Sequence, residues 1–309
     1  MRVAVVDIGT NSTRLLVAEV GDDGRVDELE RRTTVTRLGQ GVDASGRLAD
    51  EAMGRVFATL AEYRAAIDAH GAEPTVAVLT SAVRDAANGP EFTARVRDEY
   101  GLDARTIPGE EEARLTFLGA TSERSDGDRG PSVVIDIGGG STEYVVGENG
   151  DVLFHVSTQA GVVRQSERHL HTDPPTAGEL RALAREVRSI IEAEVPEDVR
   201  ARARAAIAVA GTATQLAAID QKLEPYDASR VHGYRLTRRR IGELLDELAA
   251  LPLEQRREVP GLDPARAPTI VAGAAMLGQS LDAFGLDSTE ISEHDILRGA
   301  ALEAVHRAR

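Results

Sequence analysis

The chain has 309 residues, a length that suits two ordinary domains, and 42% of them are hydrophobic. It contains no cysteine, which excludes disulfides, thiolate nucleophiles and cysteine metal sites and favours a reducing, cytoplasmic location. The net charge of −15 argues against general binding of nucleic acid or of an anionic membrane, and the sequence predicts neither a signal peptide nor a membrane span. A small polyanion bound in a cleft stays compatible with this charge.

The first half of the chain alternates extended and helical patterns. Residues 2–20 predict a β-hairpin with a third extended stretch at 25–37, and apolar residues at helical spacing predict a helix over 50–69. The elements predicted next are a strand at 76–79, a helix at 91–100, a strand at 104–107 and a helix from Glu110 towards Gly119. Residues 122–131 are polar and rich in turn formers, which predicts a domain boundary near residue 125.

The second half repeats the arrangement of the first. The elements predicted there are strands at 132–135, 144–146, 152–157 and 206–210, and helices at 176–195, 237–249, 266–284 and 295–308. The sequence therefore predicts an α/β fold made of a duplicated βββαβα unit, each copy a mixed sheet with helices on its faces. The predicted domains are 1–125 and 126–309, and the helix near 295–309 is a candidate to pack back on the first domain.

Two similar glycine-rich turns carry the strongest functional signal, Asp7–Arg14 (DIGTNSTR) and Asp136–Glu143 (DIGGGSTE). Each lies between two β-branched runs and predicts strand, turn, strand, whereas a dinucleotide-binding turn needs a helix to follow. Glycine lets the backbone approach a ligand closely, and successive turn amides form a nest for anionic oxygens. Lys222 is the one lysine, so arginines and amides must supply any phosphate clamp. The aspartate that ends each first strand can bind a metal ion.

Three further patterns each leave two interpretations open. The acids at 110–112 (EEE) complement a helix dipole, but side chains about 100° apart also let one of them act as a general base towards water. Arg84 follows a strand and fits either a phosphate or a surface ion pair with Asp85 or a neighbouring acid. The segment 211–214 (GTAT) opens a helix, which either binds an anion at its amides or is capped by Thr212.

The histidines do not predict a metal site. His169 and His171 lie next to a turn. The pair His294-Asp295 is similar to the dyad of metal-dependent HD phosphohydrolases, but such a site needs further ligands from earlier helices. His232 and His306 are poorly placed in the sequence to supply them, so this interpretation is disfavoured.

The two turns resemble the phosphate-binding hairpins of the superfamily of sugar kinases, acetate kinases, actin and heat-shock chaperones. Within it, the chain resembles the short two-domain form of the exopolyphosphatase / guanosine pentaphosphate phosphohydrolase (Ppx/GppA) family nearly end to end. The matching stretches are 7–17 (DIGTNSTRLLV), 80–88 (TSAVRDAAN), 109–114 (GEEEAR), 135–143 (IDIGGGSTE), 161–164 (GVVR), 173–175 (DPP), 211–214 (GTAT), 232–234 (HGY) and 292–299 (SEHDILRG).

The resemblance implies two actin-like (ribonuclease H-like) lobes with the active site in the cleft between them. It implies that Glu111, the first glutamate of the Glu-Glu-Ala pair, is the catalytic base and that Glu112 supports the helix. It also implies a divalent cation such as Mg²⁺ at Asp136 and Glu143, with Asp7 a further candidate. The implied phosphate-binding residues are Thr10, Asn11, Ser12, Arg14, Arg84, Gly138, Gly139, Gly140 and Ser141.

The expected function is hydrolysis of the terminal phosphoanhydride of inorganic polyphosphate, which releases orthophosphate. Longer family members continue with a helical HD-like domain after this point, so shorter polyphosphate chains are the expected substrates. The alternatives are removal of the 5′-γ-phosphate of guanosine pentaphosphate (pppGpp), an ATP-dependent small-molecule kinase, and a sensor that binds without turnover. The apolar C-terminal helices are consistent with a homodimer and equally with packing against the first lobe.

Overall fold

The computed structural model describes residues 1–123, 130–148 and 151–308. The chain divides into two compact units, of which the first comprises Met1–Ser122 and Asp295–Arg309 and the second comprises Glu123–His294. The C-terminal segment therefore belongs to the first unit. Most of the turn-rich segment, residues 124–129, lies outside the described residues. No helix in the described ranges has the length and apolar character that crossing a bilayer requires.

The first unit contains a sheet in the order β3-β2-β1-β4-β5 among its described residues. Its strands are β1 (Arg2–Ile8), β2 (Ser12–Val20), β3 (Val26–Val35), β4 (Thr75–Leu79) and β5 (Asp103–Thr106). Its helices are α1 (Val42–Ser45), α2 (Asp50–His70), α3 (Ser81–Asp85), α4 (Gly89–Tyr100), α5 (Gly109–Thr121) and α14 (Ile296–Ala308). Strands β1 to β3 pair antiparallel, whereas β4 lies parallel to β1 and to β5.

Both faces of this sheet are covered, which explains why β1 is apolar at nearly every position. Ala4, Val6 and Ile8 lie in the core formed with the helices α2 and α4. Val3 and Val5 alternate with them and pack into a second core with apolar residues of α5 and α14. Successive side chains of a strand point to opposite faces, so a strand between two helical layers is apolar throughout.

The helices α5 and α14 approach so closely that their backbones touch. A Cβ atom added at Gly119 would lie 1.9 Å from the carbonyl oxygen of Asp295, and one added at Gly299 would lie 1.9 Å from that of Leu115. Arg298 is buried beside this crossing and donates to the Ser122 hydroxyl (2.8 Å). Only glycine permits this approach, so the two glycines determine where α5 lies on the sheet.

The second unit contains a sheet in the order β10-β11-β9-β6-β7-β8 among its described residues. Its strands are β6 (Ser132–Ile137), β7 (Thr142–Glu148), β8 (Asp151–Thr158), β9 (Ala205–Val209), β10 (Arg235–Thr237) and β11 (Ser288–Ile291). Its helices are α6 (Val162–His169), α7 (Ala177–Glu194), α8 (Glu197–Arg202), α9 (Ala210–Gln221), α10 (Ala228–Val231), α11 (Arg238–Ala249), α12 (Leu253–Arg256) and α13 (Ile270–Phe284).

The predicted fold class of two mixed sheets flanked by helices is confirmed. In each unit a three-stranded antiparallel meander continues into parallel strands, since β6 lies parallel to β9 and β9 to β11. The core of the second unit is built from aliphatic residues of the sheet and of α7, α9, α11 and α13. The sequence analysis missed the short elements β10 and α6, because three to eight residues carry too little periodicity to be recognised.

Replacing Gly299 with alanine should destabilise the protein by at least about 3 kcal/mol, the upper end of the cost of overpacking, because its methyl group would meet a backbone carbonyl of α5. The free energy of unfolding in urea measures this change. The matched control is Gly242→Ala in α11, where an added Cβ meets nothing within 4 Å; there alanine should stabilise by about 0.5–1 kcal/mol. Equal effects of the two substitutions would contradict the close contact.

Candidate functional site

The loop between β1 and β2 presents backbone amides at one edge of the first sheet. The Gly9 N–H donates to the Ser12 carbonyl (3.0 Å) and closes the turn. The Thr10 carbonyl accepts from the Gly39 amide (2.8 Å), and two amides of the loop after β3 donate to the Asn11 carbonyl (2.9 and 3.1 Å). Within the described residues, the N–H groups of Thr10 and Asn11 themselves donate no hydrogen bond. The loop therefore offers two oriented donors to an anionic oxygen.

Arg14 is paired with two carboxylates of the first unit. It lies directly opposite Asp7 in the β1–β2 pair, and its Nε and Nη2 donate to Asp7 Oδ2 at 2.9 and 2.7 Å. Its Nη1 donates to Asp295, whose other oxygen accepts from the Leu297 amide at the start of α14 (3.0 Å). All three side chains are nearly buried. This arrangement makes Arg14 a structural link and argues against the phosphate-binding role expected for it.

The same pairing bears on the expectation that Asp7 binds a metal. Burial raises the pKa of the Asp7 carboxyl above its ordinary value, and the adjacent Arg14 acts in the opposite direction. Asp7 Oδ1 is buried without a hydrogen-bond partner, but Oδ2 is already bound by the guanidinium. The positive charge of Arg14 opposes a cation at this position. Asp7 is therefore a poorer metal ligand than the turn pattern alone indicated.

Arg84 and Glu112 form an ion pair at the edge where the parallel strands of the first unit end. Arg84 lies in α3 directly after β4, and Glu112 lies in the first turn of α5, shortly after β5. Arg84 Nη1 donates to Glu112 Oε2 (3.0 Å) and to the Ile107 carbonyl (3.1 Å). Glu112 is buried, whereas 22% of the Arg84 side chain is exposed. Within the described ranges, Nε and Nη2 of Arg84 make no hydrogen bond, so the guanidinium retains donors for a phosphate.

Glu111 points to a different side of α5 from Glu112. Its Oε1 accepts from Arg105 Nη1 (2.5 Å) and lies 3.7 Å from Arg307 Nη2 of α14. Arg105 and Arg307 also contact Glu303 of α14, at 3.3 and 2.6 Å. Glu111 therefore belongs to an ion-pair network that ties α5 to α14. The geometry favours Glu112, not Glu111, as the carboxylate available for chemistry.

The loop between β6 and β7 reproduces the turn of the first unit. The Gly138 N–H donates to the Ser141 carbonyl at 3.0 Å, the bond that closes the first turn. Within the described part of the chain, the amides of Gly139, Gly140 and Ser141 donate no hydrogen bond. The second unit thus offers a row of three amides, one more than the first, in a turn of the same kind.

Helix α6 begins directly on this loop and supports it. The amides of Val162 and Val163 donate to the carbonyls of Gly138 (2.9 Å) and its neighbour Gly139 (2.8 Å), and Arg164 Nε donates to the carbonyl of the next glycine (3.0 Å). A Cβ atom at Gly161 would lie 2.3 Å from a loop carbonyl, so only glycine fits there. The matching stretch 161–164 is therefore explained as the support of the phosphate loop.

Asp136 and Glu143 form a pair of carboxylates on one face of the second sheet. They lie directly opposite each other in the β6–β7 pair, so their side chains point the same way. Both are buried, and the Ser157 hydroxyl donates to Glu143 Oε1 (2.7 Å). The same register in the first unit pairs Asp7 with an arginine. Two buried carboxylates offer the oxygen ligands that Mg²⁺ prefers, so this donor set fits the expected cation.

The start of α9 adds a further group beside the second turn. Ala210 has a φ of 62°, a left-handed backbone that is uncommon outside glycine, at the corner between β9 and α9. Thr212 does not cap the helix; its hydroxyl donates to the Ile137 carbonyl at the end of β6 (3.2 Å). The guanidinium of Arg266 lies over Gly211, where a Cβ would come 1.9 Å from Nη1. The sequence analysis missed Arg266, because nothing local links it to Gly211.

Comparison with known proteins decides the assignment of the chain. The model of the Ppx/GppA phosphatase family matches residues 16–308. The chain belongs to this family. Exopolyphosphatase 2 of Mycobacterium tuberculosis is 40% identical over 313 aligned positions, which cover 97% of this chain and 98% of the relative.

Solved structures of the Ppx/GppA family share the fold over nearly the whole chain. A family member from Aquifex aeolicus has a TM-score of 0.83 at 32% identity and covers 100% of this chain and 99% of its own. An exopolyphosphatase from Cytophaga hutchinsonii has a TM-score of 0.88 at 27% identity, with 98% of each chain covered. The likeness extends over both units.

The site residues predicted from the sequence fall into two groups. In the first unit, Arg84 and the acid-rich start of α5 come together at one edge of the sheet, which also carries the turn at Thr10. In the second unit, the glycine loop, Asp136 and Glu143 occupy one hairpin. Arg14 lies on the sheet but is occupied by carboxylates. The expected joint site in a cleft stays a prediction.

Arg14→Gln should lower the free energy of unfolding by about 3–5 kcal/mol, because it leaves two buried carboxylates without their cation. The raised pKa of Asp7 means that its folded form takes up protons more readily than the unfolded chain. The deficit should therefore shrink as the pH falls towards about 4, where the carboxyls become neutral.

Denaturant unfolding at several pH values measures this effect. The control is Arg64→Gln, which removes an exposed pair with Asp68 and should cost less than about 0.5 kcal/mol. An Arg14 variant as stable as this control would show that Arg14 does not link Asp7 to α14.

Proposed function

We propose that the protein is an exopolyphosphatase that hydrolyses the terminal phosphoanhydride of inorganic polyphosphate and releases orthophosphate. The observation that carries the proposal is the buried Glu112 carboxylate oriented by Arg84, at the sheet edge that carries the Thr10 and Asn11 amides. Membership of the Ppx/GppA phosphatase family and the 40% identity to a relative named exopolyphosphatase support the choice of substrate.

Glu112 acts as the general base in this proposal. Its carboxylate accepts a proton from a water molecule as the water oxygen attacks the terminal phosphorus, and the bond from that phosphorus to the bridging oxygen breaks. Arg84 has two tasks, since one nitrogen orients Glu112 and the remaining N–H groups bind a phosphate oxygen. The base assigned from the sequence, Glu111, instead anchors α5 to α14 through Arg105 and Arg307.

The remaining groups bind the polyanion. The amides of the two turns bind phosphate oxygens, with Thr10, Asn11 and Ser12 in one unit and Gly138, Gly139, Gly140 and Ser141 in the other. Arg266 adds a guanidinium beside the second turn. We propose Asp136 and Glu143 as the residues that bind Mg²⁺, which offsets negative charge on the phosphates when it is bound. A net charge of −15 is tolerated because these donors act locally.

Cytoplasmic location and a homodimer, both expected from the sequence, stay predictions. The same chemistry serves pppGpp, and transfer to an acceptor or binding without turnover are the further outcomes that an assay separates. Phosphate release distinguishes all of these, because a kinase places the phosphoryl group on an acceptor and a sensor releases none.

Glu112→Gln should lower kcat for phosphate release from polyphosphate by about 10²–10⁴-fold, the usual contribution of a general base. Glu111→Gln is the matched control, since it makes the same change one position earlier in α5. It should retain activity within about tenfold and lose stability instead, because it weakens the network with α14. The opposite ranking of the two variants in kcat would restore Glu111 as the base.

Free phosphate should appear from polyphosphate in the presence of Mg²⁺ and disappear when the cation is removed by chelation. Polyphosphates of several defined lengths are compared with pppGpp and ATP at equal phosphate concentration. We expect the highest kcat/KM with short polyphosphates. A higher value with pppGpp would assign the nucleotide phosphatase activity, and the absence of release from every substrate would reject the hydrolase.

A further inference from the structure

Glu123, His232 and His294 of the second unit come together outside the groups described above. One ligand atom of each lies within 4.8 Å of those of the other two. The rings of His232 and His294 have their centroids 4.3 Å apart, and His294 Nδ1 lies 3.6 Å from Glu123 Oε2. We propose that these three side chains form a site for a transition-metal cation of the zinc class, separate from the Asp136–Glu143 pair.

Backbone hydrogen bonds place the two histidines. His232 ends α10, and the amide of the following Gly233 donates to the Ile291 carbonyl of β11 (2.8 Å). The His294 amide donates to the Ser292 hydroxyl (3.0 Å), and the Glu293 amide donates to His232 Nδ1 (3.3 Å). The sequence analysis found His232 poorly placed for a metal because it considered helix spacing. The β10–β11 pairing, invisible in the sequence, brings the two rings together.

The spacing of the donors matches what a small cation requires. Zinc bonds to nitrogen and oxygen of about 2.0–2.1 Å at tetrahedral angles place neighbouring donors about 3.3–3.4 Å apart. The 3.6 Å between His294 and Glu123 needs almost no change, and the 4.8 Å limit on the others is within reach of side-chain rotation. Glu123 and His232 are exposed, so water can supply the remaining ligand.

The donor types select the metal. Two imidazoles and one carboxylate suit Zn²⁺ and its first-row neighbours, whereas Mg²⁺ prefers oxygen ligands alone. The site therefore differs in chemistry from the carboxylate pair on β6 and β7. Two cations can then bind the second unit without competition, each at the donor set that suits it.

The positions of the ligands indicate a structural consequence. Glu123 and His294 are the first and the last residue of the second unit. A cation bound by both ties the two ends of this unit together, and binding to the folded form alone stabilises it by mass action. The proposal does not depend on polyphosphate hydrolysis, and the experiment needs no activity measurement.

The full-length chain is stripped with a chelator and titrated with Zn²⁺ by calorimetry in millimolar Mg²⁺, which keeps oxygen-only sites occupied. We expect one site, a rise in Tm with Zn²⁺, and visible absorption bands of low-symmetry Co²⁺ when cobalt replaces zinc. His232→Ala should weaken Zn²⁺ binding by about 100-fold or more, because it removes a direct ligand. Glu123→Gln should weaken it less, since an amide oxygen remains.

The control is His171→Ala, an exposed histidine of the same unit outside the cluster. It should leave the Zn²⁺ affinity and the Tm shift unchanged. His294→Gln serves as a second ligand variant, and circular dichroism without metal confirms that each variant is folded. Zn²⁺ affinity that is equal in the His232 variant and the wild type, or no stoichiometric binding at all, would overturn the proposal and leave only an ion pair beside stacked rings.

Discussion

Gly119 and Gly299 bring the backbones of α5 and α14 into contact, and the active part of the first unit depends on that approach. With α5 seated on the sheet by this crossing, successive glutamates face different surroundings. Glu111 meets the arginines near α14, and Glu112 meets Arg84 at the edge of the sheet. Because adjacent helical positions differ by about 100°, a small rotation of α5 would exchange these surroundings. The C-terminal helix therefore controls which carboxylate is placed for chemistry.

The two hairpins show how one turn acquires two electrostatic characters. Both turns close with the same hydrogen bond and leave amides for anions. At the matching register, however, Asp7 faces Arg14 in one unit and Asp136 faces Glu143 in the other. The first pair is neutralised and linked to α14 through Asp295, while the second concentrates negative charge on one face. One hairpin thus serves the fold and the phosphates, and the other also offers oxygens to a cation.

Much of the site was readable from the sequence because it depends on local geometry. A turn such as DIGGGSTE requires glycine to bring amides close together, and its pairing with DIGTNSTR predicted the duplication. The roles of Arg14 and of Glu111 were misjudged for a common reason. Each was assigned from its neighbours in the chain, yet its partners, Asp295 and Arg307, come from the far end of the sequence. Thr212 likewise bonds the end of β6 and does not cap its own helix.

By itself the sequence determined the class of fold, the two phosphate-binding turns and the absence of cysteine and P-loop lysine chemistry. These follow from residue types and short periods, which act over a few positions along the chain. Only the tertiary structure decided which acid faces Arg84, that Arg14 is a buried link, and that His232 meets His294. Those outcomes depend on contacts between residues distant in the sequence. Such contacts are set by how helices and strands pack, and no local pattern records them.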